Sequence, residues 1–528
     1  MEASTEHSPH GCAFLTHLPS APFFPEAFVA DERLMIETAE EFARNEVLPI
    51  LDRLDKQEDG LMLGLLRKAG DLGFCGPDTP EAYGGLGLSK NLAGRMLEFL
   101  SLNGSFSVTI GIHSGISQAG LILFGTEEQK RRYLPSLAAG QRIGAYALSE
   151  PDSGTDALSL TTRAIRTGDT YRLTGTKMWI SNAKWADVFL VMAKVDGERL
   201  SAFLVERDYP GVTIGREEHK MGLKGSSTAR VVLEDAEVPA TNLLHEEGLG
   251  HHVALNALNL GRFKLAPMSL GPARDAIGLA SKYVQERRQF GQPIARFGLI
   301  QHKFALMASL FYAAESMTYR TGALIDEAFA AYGGSIDGNR RAAEEFAVEA
   351  SIGKVFVTEA ESLIVDEALQ CYGGYGFTEE FPIARHFRDA RVSRIYEGTN
   401  EINRIFSAGR IARRFNESRG KSELLGDSFP SELAADLLNR APADQIGQAA
   451  IADLVMLTYA EQSARLRTAK LGGIAEDLYR FFAAWANARA AEVFQIATGE
   501  AISLPAAPRP DIAAISDAVH GAAGPACQ

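Results

Sequence analysis

Helical periodicity gives way near Ile143 to short strand-like runs and returns near residue 251. From Asp31 to about Lys56 the apolar residues Leu34, Ile36, Ala39, Phe42, Val47, Leu48 and Leu51 recur at helical spacing. Further helices are expected near 61–73, 89–103, 114–124 and 126–139, with the Gly-rich loop Tyr83-Gly84-Gly85-Leu86-Gly87 among them. The runs Tyr171–Thr174, Val188–Met192, Ser201–Val205 and Ala229–Leu233 are short, apolar or alternating, and regularly spaced, which predicts a small antiparallel barrel or sandwich. Long helical patterns occupy 251–415, with turns at Pro293 and Gly333-Gly334, and predict an antiparallel bundle. An Ala-rich helical segment follows over about 425–500. The Pro/Ala-rich tail from Pro505 is expected to be disordered, and the aperiodic first 28 residues to form an arm, partly disordered. The expected class is α+β: arm 1–28, helical domain 29–142, β-domain 143–250, helical bundle 251–415 and an extra helical segment with its tail, 416–528. A ligand crevice is expected at a domain junction.

A chain of 528 residues needs several cores. Its 53 basic and 67 acidic residues give a net charge of −14, which argues against wholesale nucleic-acid binding. Cys12, Cys75, Cys371 and Cys527 are scattered with no CxxC spacing, which fits a reducing compartment and gives neither a disulfide framework nor a zinc site. The doublet His251-His252 lacks a further ligand at metal spacing and reads as surface or packing. No apolar run approaches the roughly 20 residues of a membrane-spanning helix. The first basic residue is Arg33, after the acidic Glu2, Glu6 and Glu26, unlike a secretory or mitochondrial leader. The expected location is a bacterial-type cytoplasm, although a mature chain with its presequence removed would read the same.

Three segments carry chemistry. The first is Tyr146-Ala147-Leu148-Ser149-Glu150-Pro151-Asp152-Ser153-Gly154-Thr155-Asp156 with Lys177-Met178-Trp179-Ile180-Ser181-Asn182. Small hydroxyl and glycine residues let backbone N–H groups approach an anionic or carbonyl-rich ligand, and Tyr and Trp offer flat faces; a plain inter-strand turn has the same composition. The second is Glu286-Arg287-Arg288-Gln289-Phe290-Gly291-Gln292-Pro293-Ile294, where arginine suits either a helix C-terminus or a pyrophosphate. The third is Gln370-Cys371-Tyr372-Gly373-Gly374-Tyr375-Gly376-Phe377 followed by Arg394-Ile395-Tyr396-Glu397-Gly398-Thr399-Asn400-Glu401-Ile402. Its glycines do not have the dinucleotide-fingerprint spacing. Glu397 sits at a loop-to-helix join, where an acidic residue also favours the helix dipole.

Taken together, in this order and at these separations, the segments resemble the acyl-CoA dehydrogenase family over residues 30 to 415. The likeness is closer to its very-long-chain branch, through Lys220-Met221-Gly222-Leu223-Lys224-Gly225-Ser226-Ser227-Thr228, Leu258-Asn259-Leu260-Gly261-Arg262-Phe263, Phe297-Gly298-Leu299-Ile300-Gln301 and the extra segment after about residue 416. The resemblance implies an N-terminal helical domain, a middle antiparallel β-barrel, a C-terminal four-helix bundle and an extra helical domain. It implies non-covalent FAD, with Tyr146, Leu148, Ser149, Gly154, Thr155, Trp179 and Ser181 on the flavin side. Arg287 and Phe290 would hold the pyrophosphate and adenine side across a subunit boundary, Gln370, Gly373 and Gly374 the other part of that shared site, and Thr399 and Asn400 the flavin. A shared site implies a homodimer.

Glu397 matches the family's catalytic base, which removes the α-proton of a long-chain acyl-CoA while the β-hydrogen leaves as hydride. Burial beside an apolar chain is expected to raise its carboxyl toward working pH. Arg262 and Gly398 match substrate-lining positions. Some relatives carry the base one residue before the matching arginine; that position here is Gly261, which cannot serve and leaves room for a long chain. Many relatives have Gln where this chain has Gly298; the very-long-chain branch has Gly. An electron-transfer flavoprotein is the implied acceptor. An acyl-CoA oxidase, and a non-enzymatic assembly-type relative that has lost FAD, remain open alternatives. Arg465, Arg467 and Lys470 lie among Leu454, Val455, Leu457, Leu466 and Leu471, a pattern that suits either peripheral membrane contact or packing onto the chain itself.

Overall fold

The computed structural model describes residues 10–16, 18–19, 21–418 and 428–522. Glu2, Glu6, Cys527 and the extreme ends of the arm and tail lie outside these residues. The chain divides into two compact units, one built from residues 29–264 and 332–344, the other from residues up to 28, 265–331 and 345 onward.

In the first unit, helices run over Ala30–Phe42, Leu61–Asp71, Lys90–Leu100 and Glu127–Ala138, close to where periodicity predicts them. The sequence reading missed the stretch between 104 and 114. Helices Gly104–Gly111 and Ser117–Phe124 are joined by a π-turn over Ile112–Ile116. Nearly every side chain in this run is buried, so no polar face marks it as helical. By length and apolarity Gly104–Phe124 could cross a membrane, which corrects the expectation that no run comes near that length; 89% of its apolar window is covered by protein, as in a core helix. Gly115 departs from helical geometry within the π-turn (φ −107°, ψ −105°). The buried Lys264 ammonium donates to the carbonyl of neighbouring Ser114 at 3.0 Å and pairs with Asp78 at 3.0 Å.

The β-domain comprises β1 (Gly144–Ala147), β2 (Arg163–Thr167), β3 (Thr170–Ser181), β4 (Val188–Val195), β5 (Arg199–Glu206), β6 (Val212–Glu217), β7 (Thr228–Pro239) and β8 (Leu243–Leu244). They form one sheet in the order β6-β7-β3-β2-β4-β5-β8, with β1 also on β4. The β1–β4 and β2–β4 pairings are parallel and the rest antiparallel. The expected middle β-domain is thus present, mostly antiparallel, with its two parallel pairings both made to β4. β4 and β5 are buried on almost every residue, as strands covered on both faces are, and their apolar runs reflect this. β3 continues through Gly175, where the sequence suggested a stop. The register shifts there, and a Cβ on Gly175 would fall 2.3 Å from Thr162 Oγ1.

In the second unit, helices Gly298–Tyr332 (but for its last residue), Ala347–Tyr372 and Asn400–Ser418 join the later part of Gly250–Glu286 to make the expected bundle. Phe429–Arg440, Gln445–Leu471, Ile474–Thr498 and Ile512–Ala522 form the extra helical segment. The arm and the tail are corrected. Phe14, Leu15, Phe24 and Phe28 are buried, so the arm is anchored by aromatic burial. The tail contains the helix Ile512–Ala522, whose Ile515 is fully buried against Ala305 and Phe481.

Within the basic stretch of the extra segment Arg467 is buried, Arg465 and Leu466 are half-buried, and Lys470 and Leu471 are exposed. Leu454, Val455 and Leu457 are at most 1% exposed. Arg467 pairs with Glu315 at 2.7 Å and with Glu26 of the arm at 2.5 Å, and Lys470 donates to the Pro22 carbonyl at 2.7 Å. Of the two readings, these side chains follow the packing one. Removing one member of a buried pair strands the other charge, so Arg467→Met is expected to lower stability by about 3–5 kcal/mol. Urea denaturation measures this; an unchanged midpoint would show that the pair contributes nothing.

Candidate functional site

In the second unit the candidate base is carried by a loop fastened from below. Lys354, fully buried on helix Ala347–Tyr372, donates to the Gly398 carbonyl at 3.0 Å and to Asn400 Oδ1 at 2.7 Å. Asn403 Nδ2 donates to the carbonyls of Gly398 (2.8 Å) and Thr399 (3.1 Å). Asn400 Nδ2 donates to Thr358 Oγ1 and Glu359 Oε1, and Glu359 makes a two-pronged pair with Arg404, which also binds Asp453 at 2.7 Å. Thr399 Oγ1 accepts the Ile402 N–H, so it caps helix Asn400–Ser418. With the residues that follow it so fixed, Glu397 stands at φ 55° and Gly398 at φ 85°. A left-handed non-glycine residue costs on the order of 1–3 kcal/mol and persists only where its surroundings over-determine it. The Asn400 side chain is bonded to Lys354, Thr358 and Glu359. Sequence reasoning missed Lys354, Asn403 and Glu359, which lie on two different helices and meet the loop only in the folded chain.

The same unit holds the second and third motifs' remaining residues. β9 (Arg288–Gln289) and β10 (Gln292–Pro293) form a hairpin whose two-residue tip is Phe290-Gly291, at φ 50° and 81°. Such a tip matches strand twist but is usually built from Asn or Gly; here it lifts a phenyl ring that is 93% exposed. Tyr283 stacks on Tyr372 at 4.1 Å, and the Arg287 guanidinium lies 5.6 Å from the Tyr375 ring. These contacts bring Arg287 beside the turn of Gln370, Gly373 and Gly374 within a single chain. Gly373, at φ 57°, and Gly374 have open space where a Cβ would stand.

In the first unit the flavin-side candidates cluster where β1 meets β3. Tyr146 lies on β1, Ser181 ends β3, Leu148 is buried and Ser149 half-buried, while Gly154 and Thr155 are exposed. Their organiser is Lys177, which the motif contains but to which the sequence reading gave no role. Fully buried, it donates to the Leu148 carbonyl at 3.1 Å and pairs with Glu150 at 2.7 Å. Burial opposes the Glu150 charge, but Lys177 and the Thr161 and Thr162 donors outweigh it and hold the carboxyl down at about 2. Met178 N–H donates to the Ser149 carbonyl. A register shift between Lys177 and Ile180 puts Trp179 at φ 59° with its indole 59% exposed, the re-aiming a β-bulge produces. Trp179, Phe290 and Glu397, singled out from sequence for other reasons, are thus all non-glycine residues at positive φ. Arg262 is nearly buried and donates to Asn259 at 3.2 Å. Among the described residues no His/Cys/Asp/Glu group could hold a metal ion.

Models of the acyl-CoA dehydrogenase N-terminal, middle and C-terminal domains match residues 30–141, 145–236 and 248–412. The chain belongs to the acyl-CoA dehydrogenase family. It is thereby a flavin-dependent oxidoreductase by kinship, and three relatives place it more finely. It is 42% identical to a probable acyl-CoA dehydrogenase of Bacillus subtilis (strain 168), over 85% of this chain and 82% of that one. It is 41% identical to the very long-chain specific acyl-CoA dehydrogenase of Rattus norvegicus mitochondria, over 68% of this chain but about half (54%) of that enzyme. Its fold matches an acyl-CoA dehydrogenase of Bacillus anthracis, solved with FAD, at a TM-score of 0.90 and 37% identity, covering 97% of this chain and 98% of the other. That coverage includes the extra C-terminal helices.

Lys177→Met should cost this acyl-CoA dehydrogenase about 3–5 kcal/mol by stranding the Glu150 carboxylate. Lys177→Met combined with Glu150→Gln should recover part of that loss in thermal unfolding; equal losses in the single and double variants would show that the charge pairing is not what orders the segment.

Proposed function

We propose that this chain dehydrogenates long-chain acyl-CoA thioesters to trans-2-enoyl-CoA, with Glu397 removing the α-proton. The observation that carries this reading is the Glu397 loop: a glutamate at φ 55° whose next residue, Gly398, has its carbonyl bound by both Lys354 and Asn403. A base must meet its proton in a fixed geometry, and a clamped loop supplies that without reorganisation. The Gly261 position carries no carboxylate that could compete.

The residues present suit FAD. Trp179 and Phe290 offer exposed flat faces, Ser149, Thr155, Ser181 and Thr399 offer hydroxyls, and Arg287 stands beside the open Gly373-Gly374 turn as a guanidinium does for a pyrophosphate. Tyr146, Leu148, Gly154 and Gln370 complete the set. FAD, when bound, supplies the acceptor for the β-hydrogen as hydride. Glu397 takes the α-proton and keeps it until product leaves; Gly398, whose carbonyl is engaged by Lys354 and Asn403, leaves its N–H side to the substrate. The very long-chain relative supports a long acyl group, as does Gly261, which adds no bulk to its helix. An electron-transfer flavoprotein is the proposed acceptor for the reduced flavin, a homodimer the proposed assembly and the cytoplasm the proposed location.

The test is anaerobic bleaching of the yellow flavin absorbance by palmitoyl-CoA. The native protein should bleach rapidly, and Glu397→Gln should retain its flavin and lose bleaching by at least about a hundredfold, the lower range for a general base. Absence of bleaching with every chain length would overturn the dehydrogenase reading. A faster response to butyryl-CoA than to palmitoyl-CoA would overturn the long-chain part alone.

A further inference from the structure

A second buried carboxyl lies in the element that leads to the base, and nothing so far uses it. Glu361, on helix Ala347–Tyr372, is 4% exposed. Its carboxyl is within hydrogen-bonding reach of the hydroxyls of Ser269, on helix Gly250–Glu286, and Ser393, on the turn Arg391–Arg394, both serines being 3% exposed; Ser393 gives its own proton to the Ala390 carbonyl at 2.7 Å, which leaves its oxygen to accept from a protonated Glu361. Among the described residues its Oε2 has no hydrogen-bond partner, and neither does the buried Nε of Arg394. The charged and titratable groups facing it are Asp389, at the end of helix Ile383–Ala390, and Arg394 on the turn. Next along the chain, the Tyr396 hydroxyl is pushed up first by burial and then by Glu361, Glu397 and Asp389, so one phenol lies within reach of both glutamates.

We propose that Glu361 is a positioning residue for the base: its neutral carboxyl, bonded to Ser269 and Ser393, fixes the turn three residues before Glu397. The inference rests on Glu397 being that base. An ionised Glu361 would be a buried charge with one oxygen unsatisfied and Asp389 nearby, so the protonated form is favoured. Burial pushes the carboxyl up to about 8, with the two serines and Arg394 pulling the other way. Above that pH the new charge draws in the Arg394 guanidinium, the turn shifts, and the base leaves its alignment.

The sign follows from a folded-state value raised above the ordinary one. Below about pH 8 the proton is held and the turn is set; the rate falls as pH rises through that value. In the native holoenzyme the bleaching rate at saturating palmitoyl-CoA should drop about five- to sixfold between pH 8 and 9, as one ionisation near 8 requires. Glu361→Gln should abolish that limb. Ser269→Ala, which removes a bond that stabilises the ionised form, should move the limb to higher pH and serves if the first variant folds poorly. A second readout needs no turnover. Between about pH 4.5 and 8 the native unfolding midpoint should fall relative to Glu361→Gln, because only the unfolded state releases this proton there. A midpoint difference that does not vary with pH would overturn the neutral carboxyl. A limb that persists in Glu361→Gln, or a rate loss equal at every pH, would overturn its action on the base. Native protein that never bleaches would instead remove the dehydrogenase reading and this role with it.

Discussion

One buried ammonium sets the geometry on which this site depends. Lys354 gives up water to bind the Gly398 carbonyl and the Asn400 amide oxygen. Desolvating a charge is costly unless its donors are met, and both bonds here run to groups within three residues of Glu397. The same helix turn carries Thr358 and Glu359, which hold the other side of Asn400, and Glu359 continues through Arg404 to Asp453 of the extra segment. The left-handed backbone at Glu397 is therefore maintained by a chain of polar contacts that reaches from a bundle helix into the C-terminal helices.

The first unit solves a parallel problem with the same chemistry. Lys177 is also a buried lysine whose ammonium binds a backbone carbonyl, that of Leu148, and an acidic partner, Glu150. Both lysines stand on regular elements and hold irregular ones. A strained residue lies close by in each case: Trp179 two positions after Lys177, and Glu397 just before the anchored Gly398. Rigid scaffold and aimed side chain are divided between neighbouring residues, which lets a glutamate or tryptophan adopt a conformation it would not choose alone.

These divisions explain what could be read in advance. The alternation of helical and strand-like texture was legible because amphipathic helices and half-buried strands have different periods, and the motif residues were legible through family resemblance. The 104–116 stretch was not, since a helix buried on every face has no period to detect. Nor were Lys354 and Glu361, whose importance lies in contacts with residues tens of positions away, nor Asn403, whose local bonds to Gly398 and Thr399 no periodicity marks. Gly175 read as a strand end because a glycine that permits a bulge and one that stops a strand look alike in sequence. The arm and tail read as disordered on composition alone; a few aromatic and aliphatic residues in each find pockets that only the folded chain provides. The inward turn of Arg467 was open in the sequence and is decided by Glu315, on a helix 152 positions earlier.

The Glu26–Arg467 contact has a temporal side. Its partners are 441 residues apart, and synthesis proceeds at about 5–20 residues per second. The arm thus leaves the ribosome well before its ionic partner, which follows roughly 20 to 90 seconds later. During that interval Phe14, Phe24 and Phe28 have no finished surface to occupy. The arm is completed only by residues made hundreds of positions later, so the growing chain carries these aromatic side chains uncovered until then.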